Sequence, residues 1–198
     1  AHFLEHMAFN GSQHFAPGTL VEWFQKHCMA FGADTNASTD FSETIYKLDL
    51  PLSDAATLRE GLTMLRDVAD GLLLLPKEVA AELGVIDGEE RERDSAGWRA
   101  WVAELSSRFD GTSIPRHLPI GTHAVRANFD ADGVRAFYER WYHPGAMTLV
   151  LVGDLGGLDP RSLIEEAFGD LAARSEPPPV EPDRGRADFE PATFTFPS

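Results

Sequence analysis

Apolar residues recur every three to four positions through the middle of the chain, which is the period of an amphipathic helix. Between positions 54 and 75 this stripe comprises Leu58, Leu62, Leu65, Val68, Ala69 and Leu72. Asp54 precedes the stripe as a good N-cap, so we predict a helix from there to about residue 75. Pro76 opens a second helix, expected to end near residue 109. Three glycines are candidate kink positions in that helix: Gly84, Gly88 and Gly97.

Shorter patterns predict the remaining elements. The helical period predicts further helices at residues 20–30, 130–142 and 160–173. Residues 41–50 alternate apolar and polar side chains, which predicts a strand. The run 147–153 is almost wholly apolar, as in a strand that is buried on both faces. Helices and strands are therefore expected in one α/β domain.

Composition limits the possible partners. The 198 residues are enough for one sizeable core, and no apolar run is long enough to span a membrane. The chain carries 17 basic and 32 acidic residues, a net charge of −15, which argues against nucleic acid or an anionic membrane surface as its main partner. The one cysteine, Cys28, excludes an intramolecular disulfide.

The ends of the chain suggest how it is organised. Residues 1–173 are expected to form one domain, truncated on its N-terminal side because the chain begins within a motif and without methionine. Residues 174–198 are expected to be a proline-rich linker and the start of a following segment.

The first six residues carry the strongest chemical signal. His2, Glu5 and His6 share one face if the segment is helical. Two imidazoles one turn apart can take two corners of a tetrahedral zinc site, with the carboxylate beside them as a base. This H-x-x-E-H order marks one class of zinc peptidase. The alternative is two partly buried histidines beside a surface glutamate.

A catalytic zinc needs a third protein ligand. Glu82 and Glu89 are seven residues apart on the second predicted helix and so lie on one face, with Val85 and Ile86 between them. Carboxylates on an apolar, inward face are costly to bury unless a partner such as a metal compensates. The alternative is an acidic, solvated face interleaved with arginines.

Several motifs, in order, resemble the M16 (pitrilysin) family of zinc metallopeptidases. The resemblance covers about residues 1–172 and rests on H-x-x-E-H, on the G-x-x-x-N-A-x-T segment at 32–46 and on the glutamate-bearing segment at 84–89. It implies that His2, His6 and Glu89 bind one zinc ion. Spacing leaves Glu90 as an alternative ligand, but helix phase relative to Glu82 favours Glu89.

The resemblance also implies roles for other residues. Glu5 would be the general base, Glu82 would orient a ligand histidine, and Asn36 and Ala37 would hydrogen-bond an extended peptide substrate along an edge strand. The implied activity is zinc-dependent endopeptidase action on peptides or small unfolded proteins.

The fold implied by the resemblance is an α/β (α+β) half of a two-half clamshell peptidase, with a mixed, largely antiparallel sheet flanked by helices. The second half would lie on the same chain or on a partner subunit, and bacterial members are often exported, which suggests the periplasm. Two alternatives remain. One is a non-catalytic half that binds peptides or a partner, although its motif would usually be eroded. The other is a structural zinc site, which usually needs cysteines.

Overall fold

Short helices dominate the architecture. The computed structural model describes residues 1–30, 32–155 and 157–172. Its helices are α1 His2–Met7, α2 Thr19–Lys26, α3 Ala55–Asp70, α4 Pro76–Arg93, α5 Ala96–Arg108, α6 His123–Arg126, α7 Ala131–Trp141 and α8 Pro160–Phe168, with 3₁₀ turns at Ile114–Arg116 and Pro144–Ala146. Its strands are β1 Thr35–Thr39 and β2 Thr44–Leu48. They form one antiparallel pair in which Ala37 lies opposite Tyr46.

Side-chain caps set where the later helices begin. Asp54 accepts hydrogen bonds from the backbone N–H groups of residues 56 and 57, as its predicted role requires. Asp130 and Asp159 cap α7 and α8 in the same way. The predicted starts of these helices are therefore confirmed, whereas α8 ends at Phe168, before the expected residue 173.

The predicted long helix at residues 77–109 is wrong. The chain forms two helices, α4 and α5, and the break falls at Asp94 and Ser95 rather than at a glycine. Both residues have extended backbone, and the Ser95 side chain accepts a hydrogen bond from the N–H of Trp98. A serine that can cap a new helix competes with continuation of the old one.

The predicted buried strand at 147–153 is also wrong. No strand forms there among the described residues. Leu149 and Leu151 pack against a small apolar cluster, but Val150 and Val152 are 74% and 87% exposed. Only one face of the segment is buried, so its apolar composition does not indicate burial on both sides.

The largest core lies directly beneath α1. Leu4 and Met7 are fully buried against Val79 and Ile86 of α4 and against Tyr138 of α7. The Tyr138 hydroxyl donates a 2.8 Å hydrogen bond to the carbonyl of Val68, which ties α7 to α3. This packing presents one face of α1 to α4, where the candidate site lies.

Some expectations concern residues outside the described part. The proline-rich linker and following segment expected at residues 174–198 lie there. Within the described residues, no helix combines the length and apolar character needed to cross a membrane.

Candidate metal centre

Two helices bring three potential metal ligands together. His2 and His6 are one turn apart on α1, and their rings meet edge to face with centroids 4.7 Å apart. The Nε2 atom of each ring lies 3.5 Å from Oε2 of Glu89, on α4. One ligand atom from each of the three residues falls within a span of 4.8 Å. The structure therefore places at one point the three residues that the sequence singled out.

The donor set fits a zinc ion. Oε2 of Glu89 is buried and has no hydrogen-bond partner among the described residues, which is costly for a carboxylate oxygen unless something else compensates it. Tetrahedral zinc with bonds of about 2.0–2.1 Å separates its ligand atoms by about 3.3 Å. The 3.5 Å separations between Glu89 and the two imidazoles are close to that value.

Glu82 orients His6. Its Oε1 lies 2.8 Å from Nδ1 of His6, and its Oε2 accepts a 2.6 Å hydrogen bond from Nδ2 of Asn10. An ionised carboxylate only accepts, so Nδ1 of His6 carries a proton, and in the neutral ring Nε2 is the nitrogen with a lone pair for a ligand. Burial alone would raise the pKa of Glu82, but these bonds outweigh it and lower the pKa.

The surroundings of the two histidines shift their pKa values in opposite directions. Burial, reinforced by the nearby His6 and Arg93, lowers the pKa of His2 to about 4, so His2 is neutral at pH 7. Burial would also lower the pKa of His6, but the hydrogen bond and charge of Glu82, with the charges of Glu89 and Glu5, raise it overall. The acidic surroundings thus favour a positive charge beside His6, as a proton or as a metal ion.

Glu89 and its neighbour Glu90 on α4 have different partners. Arg93, one turn along the helix, pairs with Oε1 of Glu89 and leaves Oε2 directed at the histidines. Glu90 and Asp87 instead pair with the buried Arg126 of α6. The structure brings Glu89, and not Glu90, to the two imidazoles.

Glu5 lies beside the ligand set. Its side chain is buried on α1, and its Oε2 accepts a 2.5 Å hydrogen bond from the Thr39 hydroxyl at the end of β1. Thr39 was not singled out from the sequence, although it is the threonine of the N-A-x-T segment. Its polar side chain and its position in that motif are the signals from which it could have been identified.

Asn36 and Ala37 lie on β1, which pairs with β2 alone within the described chain. Asn36 is exposed, and its Oδ1 accepts a 2.9 Å hydrogen bond from the Ala37 N–H. That N–H therefore has a side-chain partner rather than a strand partner. An extended chain laid along this edge could take over the bond.

Comparison with known proteins identifies the family. The family model described as insulinase (peptidase family M16) matches residues 1–108, and the model described as the peptidase M16 inactive domain matches residues 128–198. The chain belongs to peptidase family M16. The resemblance read from the motifs is thereby confirmed.

Individual relatives agree with this assignment. A probable zinc protease, PqqL of Escherichia coli, is 33% identical over 87% of this chain and 19% of its own length. A zinc protease PQQL-like protein of Arabidopsis thaliana is 29% identical over 91% of the chain and 19% of its own length. The chain therefore spans about a fifth of the length of these curated relatives.

A solved structure shows which part of the larger protein the chain resembles. It is the first half of the periplasmic protease PqqL from Escherichia coli, with a TM-score of 0.85 and 32% identity. The match covers 93% of this chain and 40% of that one. The fold is thus that of part of an M16 peptidase half, as expected, although the described sheet has only two strands.

Proposed function

We propose that this chain is the zinc-binding, catalytic part of a metalloendopeptidase that cuts peptides or small unfolded proteins. The observation that carries the proposal is the convergence of His2, His6 and the unpartnered Oε2 of Glu89. The relatives named zinc proteases support zinc as the metal. One zinc ion would be held by these three residues, with Glu82 orienting His6.

A bound zinc ion supplies Lewis acidity, which polarises a peptide carbonyl and makes a water molecule more acidic. The protein supplies the proton transfers. Glu5 takes a proton from the attacking water and passes it to the leaving amine. Its burial beside Thr39 keeps the carboxylate in one orientation. His2 is neutral at pH 7 and therefore has a lone pair to offer.

Substrate binding would use the open edge of β1. Asn36 would offer its side-chain amide, and Ala37 its backbone N–H, to an extended peptide added as a further strand. In strand addition the hydrogen bonds go to the backbone of the peptide, so this mode of binding suits substrates that are unfolded or flexible. The register of β1 against β2 places both residues in a paired, ordered strand.

The complete enzyme would contain a second M16-type half, on the same polypeptide or a partner subunit, facing this site. We assign residues 1–173 to the catalytic domain and residues 174–198 to a linker and the following segment. The related PqqL is described as periplasmic, which supports the periplasm as the compartment of this protein.

The test compares Glu5→Gln with Glu43→Gln in the full-length protein. Glu43 is exposed on the loop after β1 and provides a matched change of charge. Glu5→Gln should lower kcat for a fluorogenic peptide by about 10²-fold or more while zinc remains bound, because it removes a general base. Glu43→Gln should keep wild-type activity. Full activity in Glu5→Gln would show that another group is the base.

A further inference from the structure

We propose that Thr39 is a positioning residue for Glu5, itself held by the hydroxyl group of Thr44, which lies beside the paired hydroxyl groups of Tyr142 and Tyr46. The inference rests on the proposed function, in which Glu5 is the general base. It starts from the 2.5 Å hydrogen bond that the Thr39 hydroxyl donates to Oε2 of Glu5.

The hydroxyl groups form a continuous series. Oγ1 of Thr39 lies 3.2 Å from Oγ1 of Thr44, which is opposite it at the end of the β1–β2 ladder. The Thr44 side chain interacts with Tyr142, whose hydroxyl lies 2.8 Å from that of Tyr46. Both strands of the sheet and the residue that follows α7 therefore contribute to one series that ends at Glu5.

The carboxylate sets the direction of the hydrogen bonds at Thr39. A hydroxyl group has one proton to donate, and ionised Glu5 can only accept. Because the Thr39 hydroxyl donates its proton to Glu5, its oxygen must accept the hydrogen bond from Thr44. Bonds aligned in this way polarise and strengthen one another.

The two tyrosines keep their protons at neutral pH. Burial, followed by the neighbouring Tyr142, raises the pKa of Tyr46 well above its ordinary value. Burial likewise raises the pKa of Tyr142, although its hydrogen bonds oppose the shift. The two phenol groups therefore add no charge near Glu5 at neutral pH.

This arrangement assigns different tasks to the two oxygens of Glu5. Oε2 accepts the hydrogen bond from Thr39, which leaves Oε1 to take the proton from water. The same threonine terminates the strand proposed to bind substrate. The orientation of the base is therefore coupled to the strand edge that receives the peptide.

The test uses Thr39→Val, which keeps the shape of the side chain and removes the hydroxyl group, and Thr39→Ser, which restores it. In the full-length protein, Thr39→Val should lower kcat by about 10- to 100-fold, because a poorly placed base is inefficient, with KM and zinc content unchanged. Thr39→Ser should stay within about threefold of wild type. Tyr142→Phe should cause a smaller loss of kcat, about 3- to 10-fold.

Thr63→Val is the matched control, since the Thr63 hydroxyl donates to the carbonyl of Arg59, one turn earlier in α3. It should keep wild-type kcat. Wild-type kcat in Thr39→Val, an equal loss in Thr39→Ser, or loss of zinc in Thr39→Val would each overturn the proposal. The last outcome would place the effect at the metal ligands.

A second readout does not need activity. Crystal structures of the full-length wild type and Thr39→Val should show the Glu5 carboxylate rotated when the hydroxyl group is absent. An unchanged carboxylate would overturn the positioning role. Full activity in Glu5→Gln would instead refute the proposed function, so the two failures are distinguishable.

Discussion

His6 and Glu82 lie 76 residues apart in sequence, and Nδ1 of the first is 2.8 Å from Oε1 of the second. This contact joins α1 to α4 beside the proposed metal ligands. It also decides which nitrogen of His6 bears the proton, because the carboxylate accepts from Nδ1. The candidate centre therefore depends on a residue that is not itself proposed to touch the metal.

Replacing Glu82 by alanine should weaken zinc binding by about 10- to 100-fold without removing any ligand, because His6 loses the partner that fixes its tautomer. Competition with a chelator of known affinity measures the change. Glu92→Ala is the control, since Glu92 is an exposed glutamate on the same helix. Equal zinc affinity in the two variants would contradict the orienting role of Glu82.

Adjacent residues on α4 should differ sharply in their effect on stability. Ile86 is 1% exposed, whereas Val85 is 53% exposed. Ile86→Ala should lower the free energy of unfolding by about 2–5 kcal/mol, because it leaves a cavity in the core beneath α1. Val85→Ala should change it by less than about 0.5 kcal/mol. Urea denaturation compares the two, and similar losses would show that the assigned phase of α4 is wrong.

Alkaline pH should destabilise the fold through Tyr46. Its pKa is raised in the folded protein, mainly by burial, whereas an unfolded tyrosine has a pKa of about 10. Above pH 10 the unfolded state releases this proton and the folded state retains it, so the free energy of unfolding falls as pH rises. Unfolding midpoints between about pH 9 and pH 11 measure the slope. Tyr46→Phe should flatten it, and an unchanged slope would assign the effect to other groups.

The part of the site that the sequence predicted follows from the spacing of residues along single helices. Glu5 and His6 follow His2 by three and four residues, about one helical turn, so their shared face follows from helix geometry alone. The seven-residue spacing likewise placed Glu82 and Glu89 on one face of α4. Their meeting with α1 was expected from the family resemblance, because no local pattern specifies which two helices pack together.

Long-range contacts account for what the sequence did not show. The bond from Thr39 to Glu5 spans 34 positions, and the link from Tyr142 to Tyr46 spans 96. Both depend on how β1, β2 and α7 dock, which periodicity does not encode. Arg126 was missed for the same reason, since its buried ion pairs with α4 form only after α6 has packed.

Three expectations about the fold failed for identifiable reasons. Helical periodicity continued through Asp94 and Ser95, yet the serine cap at Ser95 started a new helix. The apolar run at 147–153 suggested two buried faces, but only Leu149 and Leu151 pack inward. Val85 was also expected on the inner face of α4 and is instead half exposed. In each case a local composition was compatible with two environments.

Zinc content tests the central claim most directly. Elemental analysis of the purified full-length protein should find zinc in the wild type, at about one ion for this half. Glu90→Ala is the matched control, because Glu90 pairs with Arg126 away from the histidines. We expect that control to keep its zinc and Glu89→Ala to lose it. Zinc retained in Glu89→Ala, or absent from the wild type after zinc is added back, would contradict the three-ligand centre.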